Sequence, residues 1–142
     1  MIHETVKAIA KAIHSLYPDS KIYDSPPQQG LENRSFLIRC TSPSLGKVRG
    51  HMYEYDNDFD IAYFPADEKE PERECMEVAE DLQMVLECIE IAGKKTWIKE
   101  AADISIVDAV LHVKATYRDE YLRQDPSGEK IATMSGSVKV KG

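Results

Sequence analysis

An amphipathic helix is the sequence feature that most limits how this chain can fold. Between Cys75 and Ile89 the apolar residues recur at steps of three and four, and at ~100° per residue they form one stripe about 120° wide. Its members are Cys75, Val78, Ala79, Leu82, Val85, Leu86 and Ile89. Pro71 suits a first-turn position, and the acids beside it complement the positive end of the helix dipole. A stripe of this width predicts a helix that packs against a sheet.

The acids that surround this helix are unevenly distributed along the chain. From Ala66 to Glu90 there are ten acids and two bases, a net charge of −8, whereas the whole chain carries −7. The remaining residues therefore sum to +1. Such a face is typical either of solvated surface or of a docking surface whose register is set by complementary charge. The acidic total argues against a general nucleic-acid binder, which needs a basic footprint.

The rest of the chain alternates between helical and extended patterns. A first helix is predicted from Ile2 to Tyr17, because its apolar residues share a stripe and Lys7, Lys11 and His14 fall outside it. Pro18 ends this helix. Strands are predicted at Lys21–Asp24, Ser35–Thr41, Lys47–Tyr55, Phe59–Phe64, Thr96–Lys99, Ile104–Tyr121 and Lys130–Lys141, with a turn at Asp56–Asp58.

These patterns predict an α+β fold in one domain over residues 1–142. We expect an antiparallel or mixed sheet with two main helices on one face, in the order α-β-β-β-β-α-β-β-β. A chain of 142 residues buries enough surface to fold without disulfides or metals. The odd number of cysteines, Cys40, Cys75 and Cys88, favours free thiols in a reducing cytoplasm. No stretch has the ~20 apolar residues that cross a membrane.

The sequence carries no recognisable catalytic or cofactor motif. Glycine-rich nucleotide loops and a nucleophile elbow are absent, and His3 and His14 lie ~16 Å apart on the first helix, too far to share a metal. The run Asp56–Asp60 imitates the start of a calcium loop, but Ile61 stands where that loop needs glycine. His112 beside Asp108 is the remaining acid/base candidate. We therefore expect no enzyme, no cofactor and no metal site.

Seven short segments, spread in order from residue 17 to residue 112, carry a resemblance to a known family. They are Tyr17-Pro-Asp, Lys21-Ile-Tyr, Gln29-Gly-Leu-Glu, Phe36-Leu-Ile-Arg39, Phe59-Asp-Ile-Ala-Tyr-Phe-Pro65, Glu70-Pro-Glu-Arg-Glu-Cys-Met-Glu-Val-Ala-Glu-Asp-Leu82 and Asp108-Ala-Val-Leu-His112. Together they resemble the small tail terminator proteins of phages and prophages of Gram-positive bacteria. The similarity runs over about residues 1–120, and the segment from Tyr121 to Gly142 matches less well.

The resemblance implies a structural role without chemistry. A tail terminator of this kind forms a ring, expected to be a hexamer, on the end of the tail tube, stops tube polymerisation and presents a surface for head attachment. The implied partners are further copies of the chain, the tail tube protein and a head connector or stopper. DNA passes through the lumen without specific binding, and no membrane is involved. The implied location is the head-tail junction of the virion, after synthesis in the host bacterial cytoplasm.

Other functions stay open at this point. The chain is alternatively another neck protein, such as a connector or stopper. A small ligand-binding or catalytic α+β domain is a second alternative and would need a concave pocket with convergent polar groups. A regulator of a host protein is a third.

A cyclic ring predicts where subunits meet, because each copy needs two different and complementary patches. The candidate acidic patch is Glu77, Glu80 and Asp81 on the second helix. The candidate basic surface is Arg34, Arg39, Lys47 and Arg49. A rival use of the same acids is an acidic lumen that repels passing DNA.

Overall fold

A computed structural model of the chain describes residues 2–43, 47–50 and 52–122, with the backbone alone for residues 42, 43, 47–49, 52, 53 and 119–122. The helices are α1 (Ile2–Leu16) and α2 (Pro71–Val85). The strands are β1 (Ile22–Tyr23), β2 (Ser35–Pro43), β3 (Lys47–Arg49), β4 (Met52–Phe64), β5 (Cys88–Ile91), β6 (Lys94–Trp97), β7 (Asp103–Val107) and β8 (Val110–Leu122). The predicted α+β class is confirmed, and the element order agrees in outline.

The main sheet is mixed and has the strand order β1-β2-β4-β8-β7. β1 runs parallel to β2, and the other pairs are antiparallel. β3 pairs with β4 beyond the end of the β2 ladder. β5 and β6 form a separate hairpin, which meets the main sheet through an isolated bridge between Ile98 and Tyr117. The central ladder is the longest, since β4 and β8 stay in one register from Met52↔Leu122 to Tyr63↔Leu111.

Both helices contribute to one hydrophobic core on the same face of the sheet. α1 buries Ile9 and Ile13, and α2 buries the predicted stripe, including Cys75 and Leu82. The inward residues of the sheet complete the core: Phe36, Ile38, Phe59, Ile61, Tyr63, Leu111, Val113, Ala115 and Tyr117. The other sheet face, which we call the helix-free face, carries the alternate residues of each strand.

α2 is shorter than the apolar periodicity indicates. The helix ends at Val85 with Leu86 as its C-cap, and Cys88 lies in β5. The prediction that Cys75 and Cys88 share one helix was therefore wrong. Leu86 and Ile89 are nevertheless buried, because the strand that follows the helix keeps their side chains in the same core. The apolar spacing of three to four residues therefore extends past the end of the helix, although the chain there is already a strand.

Two predicted features of the strands were also wrong. The run Ile104–Tyr121 is two strands, because Asp108 and Ala109 both have positive φ, 50° and 62°, and make a two-residue hairpin turn. The predicted turn at Asp56–Asp58 lies inside β4, which is extended throughout. The predicted last strand, Lys130–Lys141, lies outside the described residues.

Candidate functional site

The start of α2 is organised by side chains rather than by a capping residue. Glu70 occupies the N-cap position but makes no capping hydrogen bond with its side chain. Asp67 Oδ1 instead accepts hydrogen bonds from the backbone N–H groups of Lys69 and Glu70, at 2.9 and 3.1 Å. These two bonds lower the pKa of the Asp67 carboxyl. The turn before the helix is thereby fixed, which sets where the acidic helix begins.

Glu74 ties this turn to the sheet. Its carboxylate accepts hydrogen bonds from the Tyr63 hydroxyl at 2.5 Å and from the backbone N–H groups of Ala66 and Asp67 at 3.0 and 2.9 Å. Partial burial raises the pKa of Glu74, but the three hydrogen bonds to the charged form outweigh it and the pKa lies below its usual value. Burial and the same contact raise the pKa of Tyr63. Glu74 is therefore a structural acid and does not belong to the free acidic surface.

Asp81 is a second acid with a partner inside the chain. It accepts a short hydrogen bond from the hydroxyl of Tyr17, which follows the end of α1. Burial of Tyr17, together with this bond, raises the tyrosine pKa. Asp81 is exposed, as predicted, but it bridges the two helices. Changing it would disturb their packing as well as the surface charge.

Glu77 and Glu80 form the freer part of the predicted acidic patch. Both side chains are exposed, and Glu77 lies 3.9 Å from Arg73 one turn earlier in the helix. Such an exposed i,i+4 pair contributes only about 0.3–0.5 kcal/mol. These two acids are therefore held loosely and remain accessible.

The four predicted basic residues do not form one surface. Arg34 lines a shallow concavity of about 470 Å³ together with Tyr17, Glu77 and Asp81, so it lies beside the acidic helix of its own chain. Arg39 projects from the helix-free face. Lys47 and Arg49 pair with β4 through their backbones in β3, and their side chains are outside what the structure describes.

The helix-free face carries a row of alternating charge that the sequence analysis missed. Cross-strand register places Arg39 beside Asp60, Asp60 beside Lys114, and Lys114 beside Asp103. The row crosses β2, β4, β8 and β7. Opposite charges on neighbouring strands stabilise a sheet and fix its register. The signal in the sequence was the period-two spacing of Asp56, Asp58 and Asp60.

The centre of this row is a buried carboxylate. Asp60 is only 6% exposed, and both of its oxygens lie 3.1–3.2 Å from His112 Nδ1. His112 therefore pairs with Asp60 and not with Asp108, the partner considered from the sequence. The surrounding concavity has a volume of about 650 Å³ and is open to solvent, with Asp58, Lys114 and other polar residues along it.

The other two aspartates of β4 also have their own partners. Asp56 accepts hydrogen bonds from Lys99 Nζ at 2.6 Å and Arg118 Nε at 3.0 Å, and these cations lower its pKa. Asp58 accepts a hydrogen bond of 2.5 Å from the Thr116 hydroxyl. The three carboxylates are thus spread along a strand instead of converging. Within the described part of the chain no group of three or more potential ligands is placed to hold a metal ion.

Comparison with known proteins shows the family to which this sequence belongs. The sequence profile described as "Phage tail terminator protein" matches residues 4–129. The chain belongs to the phage tail terminator family. No curated protein matches it. One of the similar solved structures aligns with 89% of this chain and 98% of its own, at 10% identity and a TM-score of 0.47. The family assignment therefore rests on the sequence match alone.

Membership of the tail terminator family confirms the resemblance and its coarser implications. The family is structural, so the chain is a tail-completion protein of a phage virion and interacts with other tail and head proteins. Among the described residues, neither helix is long and apolar enough to cross a membrane. The match reaches Glu129 and so includes part of the segment that resembled the family less well.

Proposed function

We propose that this chain closes a ring, a hexamer, on the end of a completed tail tube. The ring stops further addition of tube subunits and gives the head its attachment surface. The observation that carries the proposal is the family match over residues 4–129. The absence of a convergent catalytic group within the described residues is compatible with a role that rests on surfaces alone.

The charge distribution supports a heterologous ring. A closed ring of identical copies needs two different patches that fit each other. α2 supplies an exposed acidic patch around Glu77 and Glu80, and Arg73 is the one cation of this helix. The helix-free face, with its row from Arg39 to Asp103, is a second polar surface and is available to the tube or to the connector.

A deletion and add-back experiment tests the proposed function. Removing the gene from its phage should give tails of uncontrolled length that do not join heads, while heads still package DNA. Purified protein added to such tails should cap them and restore joining. Electron microscopy of tail lengths measures the first effect, and plaque-forming particles after mixing with heads measure the second.

The alternative of a connector or stopper gives a different result. Without a connector or stopper, tails keep their normal length and the defect appears at the head, as loss of DNA or failure to join. Normal tail lengths in the deletion phage would therefore contradict the proposed function. Ring size is measured on capped tails by counting subunits in end-on class averages.

A further inference from the structure

The outward side of α2 presents an acidic ridge with an apolar residue at one end. Glu77, Glu80 and Met84 follow at steps of three and four, so their side chains lie on one side of the helix. All three are exposed. Met84 is 78% exposed and is the most exposed large apolar side chain among the described residues. A single exposed apolar side chain is common on protein surfaces, but at the end of this ridge it would add an apolar contact to the charge of two loosely held acids.

The outward side of α1 presents the opposite charge with matching spacing. Lys7, Lys11 and His14 follow at steps of four and three, and all three are exposed. Glu4 is the one acid of this helix. Within the described residues neither lysine forms an ion pair. We call these three residues the basic ridge, and Glu77, Glu80 and Met84 the acidic ridge.

Within one chain the described residues of the two ridges do not pair with each other. Both helices pack on the same face of the sheet, and they meet where Tyr17 donates to Asp81. Each ridge lies on the side of its helix opposite the buried stripe, and the described ion pairs include none between α1 and α2. One chain therefore carries two distinct and complementary helix faces, as a heterologous contact requires.

The basic ridge suits an acidic helix better than Arg34, Arg39 or Lys114 does. Arg34 already lies beside the acids of its own α2. Arg39 and Lys114 share their concavity with Asp58, Asp60 and Asp103, so an acidic helix would meet like charges there. Lys7 and Lys11 have a single acid on their helix. Complementary charge thus favours α1 over these three cations.

We propose that neighbouring copies in the ring meet helix against helix, with the basic ridge of one copy on the acidic ridge of the next. The inference rests on the proposed ring and assigns its subunit contact. Lys7 and Lys11 pair with Glu77 and Glu80, and Met84 loses its exposure against the neighbouring α1. The attraction between these opposite charges becomes stronger in the contact, because water is excluded and the local dielectric constant falls.

Charge reversal and rescue test this contact. Lys7→Glu with Lys11→Glu, or Glu77→Lys with Glu80→Lys, should raise the concentration that caps half of the tails about tenfold or more, because like charges then face each other. The chain with all four changes should cap near the wild-type concentration, since every copy again presents complementary ridges. The matched control is Glu90→Lys with Glu100→Lys, two exposed acids that lie on neither helix.

A cysteine trap separates failure of the contact from failure of the ring function. Chains with Lys11→Cys and chains with Glu80→Cys are mixed at high concentration and low salt, oxidised, and compared with wild type, which carries Cys40, Cys75 and Cys88. A disulfide between the two variants supports the contact. If wild type caps tails, but the reversals cap equally well and no mixed disulfide forms, the contact is overturned and the proposed function stands. If wild type does not cap tails, the proposed function fails, and the mixed disulfide alone decides the contact.

Discussion

The Tyr63 hydroxyl donates a 2.5 Å hydrogen bond to Glu74 Oε2 and thereby joins the central strand β4 to the first turn of α2. The same carboxylate holds the backbone of the turn that leads into the helix. This side chain thus helps to position the start of the acidic helix on the sheet. The bond therefore helps to set where the exposed acids of this helix stand on the surface of the protein.

Removing the Glu74 contact should lower stability more than removing other acids of α2. We expect Glu74→Gln or Tyr63→Phe to reduce the free energy of unfolding by about 1–2 kcal/mol, since hydrogen bonds to a charged group are the stronger ones. Urea denaturation measures the change. Glu72→Gln, an exposed acid in the same turn, is the control and should change stability by less than about 0.5 kcal/mol. Equal losses for Glu72 and Glu74 would contradict this role of Glu74.

The same carboxylate gives a pH dependence with a defined sign. The pKa of Glu74 is lower in the folded chain than in the unfolded one, so its stabilisation is complete above the unfolded pKa of about 4.3. It is lost as the pH falls through the folded pKa. Wild type should therefore lose more stability than Glu74→Gln between pH 6 and pH 3, in thermal melts at about constant ionic strength. Parallel curves for the two proteins would exclude Glu74 as a contributor.

The core stripe of α2 predicts a large difference between two apolar residues on one helix. Leu82 is fully buried, and Leu82→Ala should cost about 2–5 kcal/mol because it leaves a cavity. Met84 is exposed, and Met84→Ala should leave the free energy of unfolding of the isolated chain within about 0.5 kcal/mol. Leu82→Asp should abolish folding, as it puts an unpaired charge in the core. A soluble Leu82→Asp protein with native circular dichroism and unchanged melting would refute the assignment of this face.

The buried pair of Asp60 and His112 should behave as a coupled unit. His112→Ala leaves the buried carboxylate without its partner and should cost about 1–3 kcal/mol. Adding Asp60→Asn should recover part of that loss, so a double-mutant cycle in urea should give a coupling energy of at least about 0.5 kcal/mol. Folded His112→Ala protein should still cap tails, because we assign His112 a structural role. Additive losses, or folded protein that no longer caps, would contradict this account.

The turn between β7 and β8 should tolerate glycine better than its native residue. Ala109 has a φ of 62°, a conformation that costs an L-residue with a Cβ about 1–2 kcal/mol. Ala109→Gly removes that strain but adds about 0.4–1 kcal/mol of unfolded-chain entropy. We expect a small net gain, visible as a rise in melting temperature. Ala8→Gly in α1, where φ is helical, is the opposite control and should lower the melting temperature.

The helices could be predicted from the sequence because a helix buried on one side has apolar residues at steps of three and four, a spacing that few other structures produce. The apolar stripes that begin at Ile2 and Cys75 have this spacing. The boundary after Val85 could not be predicted, since Leu86 and Ile89 continue the period although the chain has become a strand. The hairpin at Asp108 and Ala109 was missed for a related reason: it has no glycine, and the alternation of apolar residues continues through it.

The candidate site could be predicted only where all of its residues lie on a single helix or strand. Glu77 and Glu80 are exposed as the helical period requires. The separation of Arg34 from Arg39 depends on where β2 begins and on which residues of β2 face the helices. The partners of Asp56, Asp58 and Asp60 come from β8 and from the segment after β6, more than forty residues away. Short acidic runs favour turns locally, and only these distant partners explain a strand there.

The β4–β8 ladder determines when a newly made chain becomes a usable subunit. Its two strands are separated in sequence by α2 and three further strands, so none of its twelve register pairs can form until synthesis has passed residue 111. Sheets built from such distant segments fold slowly. Until β8 arrives, α2 has no complete sheet beneath it. An unfinished chain therefore exposes the apolar stripe of that helix, including Leu82, and is prone to aggregate until translation supplies β8.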